Sequence, residues 1–142
     1  MIEMARSRRR ITLIDDDAEF RELMRDIFAA RHDVSLLSGE QLTTDDIVGC
    51  RPDLIIVDLR LHESDLDGWD VLRLARSHDR LQAVPIVVCS AAAEELESRS
   101  DALLDLGNLA YLTKPFGLEA VEEIVSQGLA AGFMNGHAGL RT

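Results

Sequence analysis

Two hydrophobic patterns alternate along this 142-residue chain. Short, nearly unbroken apolar runs recur at Ile11 to Ile14, Val34 to Leu37, Leu54 to Val57, Ile86 to Cys89 and Ala110 to Thr113. Between them, apolar residues return every three or four positions, as in Phe20, Leu23, Met24, Ile27 and Phe28, in Val71, Leu72 and Ala75, and in Leu118, Val121, Ile124, Val125 and Leu129. The runs predict strands buried on both faces, and the wider spacing predicts helices with one apolar stripe. Gln41 to Cys50 predicts a weaker helix. Ala91 to Leu106, rich in Ala, Glu and Leu with no interior Gly or Pro, predicts a single helix closed by Gly107. Pro52 and Pro85 set off the strands that follow them, because the residue before a proline is kept out of helical conformation. Five strands alternating with five helices predict an α/β fold, a doubly wound five-stranded parallel sheet with helices on both faces and right-handed crossovers.

Four of the runs end in polar chemistry. The first stops at Asp15-Asp16-Asp17, the third at Asp58, the fourth at Ser90 and the fifth at Lys114-Pro115. In open α/β sheets ligands bind beyond the carboxyl ends of the strands, so neighbouring strands would gather these side chains into one site. Carboxylates, an ammonium and a hydroxyl suit a hard divalent cation and a phosphoryl group better than an apolar ligand. Asp17 reads as the N-cap of the first helix, whereas Asp15 and Asp16 concentrate negative charge that a cation would offset. Asp58 is placed to act as a carboxylate nucleophile toward phosphorus, with Lys114 neutralising the transferred oxygens. Ser90 can cap the following helix and also bond a phosphoryl oxygen.

Charge and cysteine content narrow the partners. The formal net charge is −11, and because the first ten residues contribute +3 through Arg6, Arg8, Arg9 and Arg10, the remainder carries −14. A body this acidic repels nucleic-acid phosphates. No apolar run approaches the roughly 20 residues of a membrane helix, and the basic start lacks the apolar core of a signal peptide. A cytoplasmic protein without membrane contact is expected. Cys50 and Cys89, without metal-type spacing, read as buried reduced thiols. The expected organisation is a basic N-terminal tail over 1–10, one domain over 11–130 and a flexible Gly-containing tail over 131–142.

In order and spacing, Ile14-Asp15-Asp16-Asp17, Pro52 to Asp58, Asp67-Gly68, Val88-Cys89-Ser90-Ala91 and Tyr111 to Phe116 resemble the receiver domain of bacterial two-component response regulators. The resemblance implies a flavodoxin-like (βα)5 fold and a phosphoacceptor signalling module, not an enzyme acting on a separate substrate. It implies Asp58 as phosphoacceptor, Mg2+ ligated by Asp16, Asp58 and the Arg60 backbone carbonyl, and Asp15 holding the metal through water. Lys114 matches the phosphate-contacting lysine, before a peptide bond to Pro115 that is cis in the family. Ser90 and Tyr111 match the switch pair. Implied partners are a histidine kinase or phosphotransfer protein and a downstream protein, with the domain a monomer or a weak phosphorylation-dependent dimer.

Three features depart from the family pattern. His62 stands where a proline is usual, and Gly68 lies ten residues past Asp58 where eight is usual, which lengthens a loop carrying Glu63, Asp65 and Asp67. Asn108-Leu109-Ala110 replaces the acidic residues that the winged-helix transcription-factor branch uses in a dimer contact. Nothing past Leu129 resembles an effector domain, so a stand-alone receiver is expected. Two alternatives remain in view. One is a Mg-dependent phosphohydrolase with an aspartyl-phosphate intermediate, against which Arg60 occupies the place of its second aspartate; the other is a receiver-like interaction domain that is never phosphorylated.

Overall fold

A computed structural model of the chain describes residues 8–40, 42–61 and 67–133. Five strands are present: β1 (Arg10–Ile14), β2 (Asp33–Leu37), β3 (Leu54–Asp58), β4 (Ile86–Ser90) and β5 (Leu109–Thr113). All pair in parallel in the order β2-β1-β3-β4-β5. The helices are α1 (Ala18–Phe28), α2 (Thr44–Gly49), α3 (Gly68–Ser77), α4 (Ala93–Ser98), α5 (Ser100–Asp105) and α6 (Leu118–Ala131).

Strand alternation divides the core in two. Ile14, Ile55, Val57, Ile86, Val88 and Tyr111 face one side and pack with Ile47 of α2, Val71, Leu72 and Ala75 of α3, Leu96 of α4 and Leu103 of α5. Ile11, Leu13, Leu54, Ile56, Val87 and Leu112 face the other, against Met24 and Phe28 of α1 and Val121, Ile124 and Val125 of α6. Period-two side-chain alternation on strands covered from both sides explains why β3 reads as an uninterrupted apolar run. The doubly wound parallel sheet expected from the sequence is the observed architecture.

The segment read as one helix over Ala91 to Leu106 is two short helices with a break at Arg99, whose φ and ψ are −111° and 12°. The Ser98 hydroxyl donates to Glu95 O at 3.1 Å and the Ser100 hydroxyl to Glu97 O at 3.0 Å. Hydroxyls that bond carbonyls of the preceding turn compete with the backbone and bend or end helices. Gly107 ends α5 as expected, with φ 80° and its N–H on Leu104 O. Asn108 extends the turn in the same left-handed region, φ 52°, and its side chain is tied down: Nδ2 donates to Ala83 O and Oδ1 accepts from the Phe133 N–H.

At the same amino-terminal edge of the sheet, residues 8–10 are part of the fold. Arg10 opens β1, Arg8 pairs with Asp33 at 2.9 Å, and the Arg9 guanidinium donates to Leu129 O near the end of α6. Cys89 is fully buried, and burial pushes its thiol pKa up; Cys50 is half-buried with its thiol on Asp46 O. His62, Glu63 and Asp65 of the lengthened loop lie outside the described residues, as do Arg6 and most of the C-terminal tail. Asp67, grouped with the loop's acidic rim, is the N-cap of α3, exchanging hydrogen bonds with Asp70 in a capping box. Among the described residues no helix is long and apolar enough to cross a membrane.

Candidate functional site at the carboxyl edge of the sheet

Parallel register places the carboxyl ends of β1, β3, β4 and β5 side by side: Ile14 pairs with Val57, Asp58 with Cys89, and Ser90 with Thr113. The polar residues that end these strands therefore share one edge. Lys114 joins them. Its Nζ lies 2.8 Å from Asp15 Oδ2 and 3.1 Å from Asp58 Oδ2.

Each carboxylate is fixed by backbone as well. Asp15 is 2% exposed and its Oδ1 accepts the Asp17 N–H at 2.9 Å, while its carbonyl accepts from the Arg21 guanidinium. Asp16 turns toward the β2 side, where Oδ1 accepts the Gly39 N–H at 2.6 Å. Asp58 Oδ1 accepts the Arg60 N–H at 2.9 Å, which orients the carboxylate within its own loop. Asp17 caps α1 through the N–H groups of Glu19 and Phe20, as its position predicted.

Burial disfavours the Lys114 ammonium, yet the hydrogen bond to Asp15 and the charges of Asp15 and Asp58 outweigh it, so its pKa is raised and it stays cationic. Burial likewise raises the Asp15 carboxyl, against the lowering effects of Lys114 and the Asp17 N–H. Three carboxylates and one ammonium leave the edge net anionic. The ammonium also sits 4.0 Å from the centroid of the Phe20 ring, which meets Phe116 edge-on at 5.9 Å. Phe20 had read only as part of a helix stripe. Its second role is a cation–π seat for the site's lysine, and a contact across that many residues has no signal in local spacing.

Ser90 is fully buried, and its Oγ accepts the Ala92 N–H at 3.1 Å. That bond precedes α4 instead of capping it, since no side chain caps the Ala92 position. Tyr111 lies two residues before Thr113 on β5 and so faces the same side of the sheet as Ser90, with its ring in the core at 3% exposure. The Lys114–Pro115 peptide bond is cis.

Gly68 opens α3 directly against the end of β3. A Cβ there would sit 2.4 Å from Asp58 O and 2.4 Å from Leu59 Cα, and the Gly68 N–H donates to Leu59 O at 3.0 Å. The lengthened loop thus still returns its glycine to the strand end that carries Asp58.

An anionic cluster pinned by one lysine at the carboxyl edge of a doubly wound parallel sheet defines an α/β module built for phosphoryl chemistry, not an apolar-ligand carrier. The chain belongs to the response regulator receiver domain family, whose model matches residues 11–126, and is a phosphoacceptor signalling module of two-component systems. It is 32% identical over 113 residues to the transcriptional regulatory protein GltR of Pseudomonas aeruginosa, covering 80% of this chain and 46% of GltR. To the response regulator MprA of Mycolicibacterium vanbaalenii it is 36% identical over 111 residues, covering 78% and 46%. The chain thus spans about half the length of these curated relatives. The receiver domain of the sensor histidine kinase PA1611 from Pseudomonas aeruginosa PAO1, crystallised with magnesium coordinated in its active-site cleft, matches with a TM-score of 0.71 and 25% identity, over 87% of this chain and 98% of that one.

Proposed function

We propose that Asp58 is the phosphoacceptor and that its donor is a histidine kinase or histidine phosphotransfer protein. The observation that carries this reading is the Lys114 ammonium held between Asp58 and Asp15 at the sheet edge. An Asp58 carboxylate oxygen attacks the phosphorus of phosphohistidine. The O–P bond forms as the P–N bond breaks, and the electron pair returns to the imidazole nitrogen. Lys114, already desolvated and cationic, neutralises the equatorial oxygens during transfer.

The donor set fits Mg2+. Among the described residues no three acidic, His or Cys side chains form a metal cage, and magnesium takes few carboxylates while keeping several waters. Asp16, Asp58 and the Arg60 carbonyl would hold it, with Asp15 contributing through water. Bound there, the ion supplies charge neutralisation for the phosphoryl oxygens. Ser90 already accepts a backbone N–H, which leaves its hydroxyl proton to donate to a phosphoryl oxygen, and Tyr111 on the same face completes the switch.

Beside the lysine, Phe20, Leu23, Ala91, Pro115 and Phe116 line an apolar groove of about 390 Å³, and Leu23 is 55% exposed. This groove suits the apolar shoulder of a helix that presents a phosphohistidine to Asp58. Such a donor places the domain in the cytoplasm, where as a monomer or weak phosphorylation-dependent dimer it signals through a downstream protein. The test is intact-mass measurement after incubation with acetyl phosphate and Mg2+. Wild type gains one phosphoryl group and Asp58→Asn gains none; equal labelling of the two proteins refutes the assignment.

A further inference from the structure

The side chain of Arg60 has no part in the reading above, which uses only its backbone. Its Nε lies 3.3 Å from Glu95 Oε1 in the first turn of α4. The contact is a single one and the guanidinium is more than half exposed, so the pair is worth little in water. Yet Arg60 is anchored at the centre of the site, because its own N–H is bonded to Asp58 Oδ1. Arg60 and Glu95 line one cleft together with Ala91, Ala92, Ala93 and Arg99, whose three alanine methyl groups are the smallest side chains beside the pair.

We propose that Arg60 is a phosphorylation-driven latch, paired with Glu95 when Asp58 is free and with the phosphoryl group when Asp58 is modified. The inference rests on Asp58 being the phosphoacceptor. A phosphoryl group brings a charge of about −1.5 to −2 and three acceptor oxygens, and it offers the guanidinium a bidentate partner where Glu95 offers one oxygen at 3.3 Å. The transfer of Arg60 frees Glu95 at the start of α4, which links the reaction to a helix that Ser90 and Tyr111 also approach. Glu95 and the phosphoryl group compete for one cation, so removing either charged side chain shifts affinity for a phosphoryl mimic in opposite directions.

The experiment measures, by calorimetry in Mg2+, the affinity for beryllium fluoride, which occupies the phosphoryl position on a carboxylate. Wild type is compared with Arg60→Gln, Glu95→Gln, the double variant and Asp58→Asn. Arg60→Gln should weaken binding about tenfold through loss of a charge-assisted pair. Glu95→Gln should strengthen it about two- to fivefold by removing a competitor of exposed-pair strength. In the Arg60→Gln background the Glu95→Gln gain should vanish, a coupling that general loosening of α4 would not produce. Tight binding by wild type but not Asp58→Asn, with Glu95→Gln indistinguishable from wild type or its gain persisting without Arg60, overturns the latch alone. Equal binding by wild type and Asp58→Asn overturns the phosphoacceptor reading and the latch with it.

Discussion

Gly68 is required for space and not for conformation, because its φ lies outside the left-handed region while its Cα faces the backbone of Asp58 and Leu59. In Gly68→Ala the new Cβ would meet Asp58 O and Leu59 Cα at 2.4 Å and Leu59 C at 2.8 Å. Carbon contacts are optimal at about 3.5–4.0 Å, so α3 and the end of β3 must separate by about 1 Å. No flexible side chain is available to yield. Overpacking of this kind costs about 1–3 kcal/mol, against which alanine's helix preference returns at most about 1 kcal/mol. A net loss of about 2 kcal/mol corresponds to a fall in Tm of roughly 4–8 °C for a chain of this size. The displaced atoms carry the Asp58 carbonyl, so the proposed nucleophile moves with them, and labelling by acetyl phosphate should slow about tenfold or more. Gly49→Ala is the matched control: it closes α2 with nothing within 4 Å of its Cβ and should be neutral or slightly stabilising. Thermal unfolding and labelling rates decide between the two. If Gly68→Ala melts with Gly49→Ala and is labelled at the wild-type rate, α3 is not seated against the strand that ends at Asp58.

Two further outcomes follow from the edge opposite the site. Asn108→Gly keeps the left-handed backbone but loses the bonds to Ala83 O and the Phe133 N–H, and should lose about 1–3 kcal/mol in urea unfolding with faster amide exchange at Phe133; unchanged exchange there would contradict the clamp. His32 accepts the Arg9 N–H at Nδ1, and burial together with Arg8, Arg31 and Arg9, opposed by Asp33, holds its pKa below the usual value. The fold favours the neutral ring, so its contribution is present above the unfolded pKa of about 6.5 and is lost as pH falls through the lowered folded value. Between pH 7.5 and 5.5 wild type should lose more stability than His32→Gln; parallel curves would rule this out.

The sheet and the gathering of acids, hydroxyl and lysine were legible because strand ends are written in local sequence and parallel topology alone brings them together. Asp17 and Gly107 were legible for the same reason, since caps depend on a few adjacent residues. The break at Arg99 was not. Ser98 and Ser100 are compatible with a helix by propensity, and only their bonds to Glu95 O and Glu97 O show the competition. Arg76, in the last turn of α3, carried no reading from the sequence. Its guanidinium donates to the carbonyls of Leu81, Gln82, Val84, Gly107 and Asn108, joining the end of α3 to the turns before β4 and β5. Carbonyls from separate loops leave no pattern around an arginine.

The strand order also explains why the cation is a lysine placed just past β5. Asp58 ends β3 and Lys114 follows β5, so β4 lies between them and Asp15, just past β1, lies one strand further still. Adjacent strands are about 4.8 Å apart, so the ammonium must reach across about 10 Å of sheet edge to touch Asp58. A long, unbranched side chain can do this. Cys89, which pairs with Asp58, and Ser90, which ends β4 with its hydroxyl on the Ala92 N–H, are both fully buried. Phe20 then supports the stem's end from α1, and the two carboxylates fix its charge. The backbone of Lys114 is itself pinned to β4 through its N–H on Ser90 O at 2.8 Å, so the reach of the amine and its seating between two carboxylates and an aromatic ring are one spatial solution.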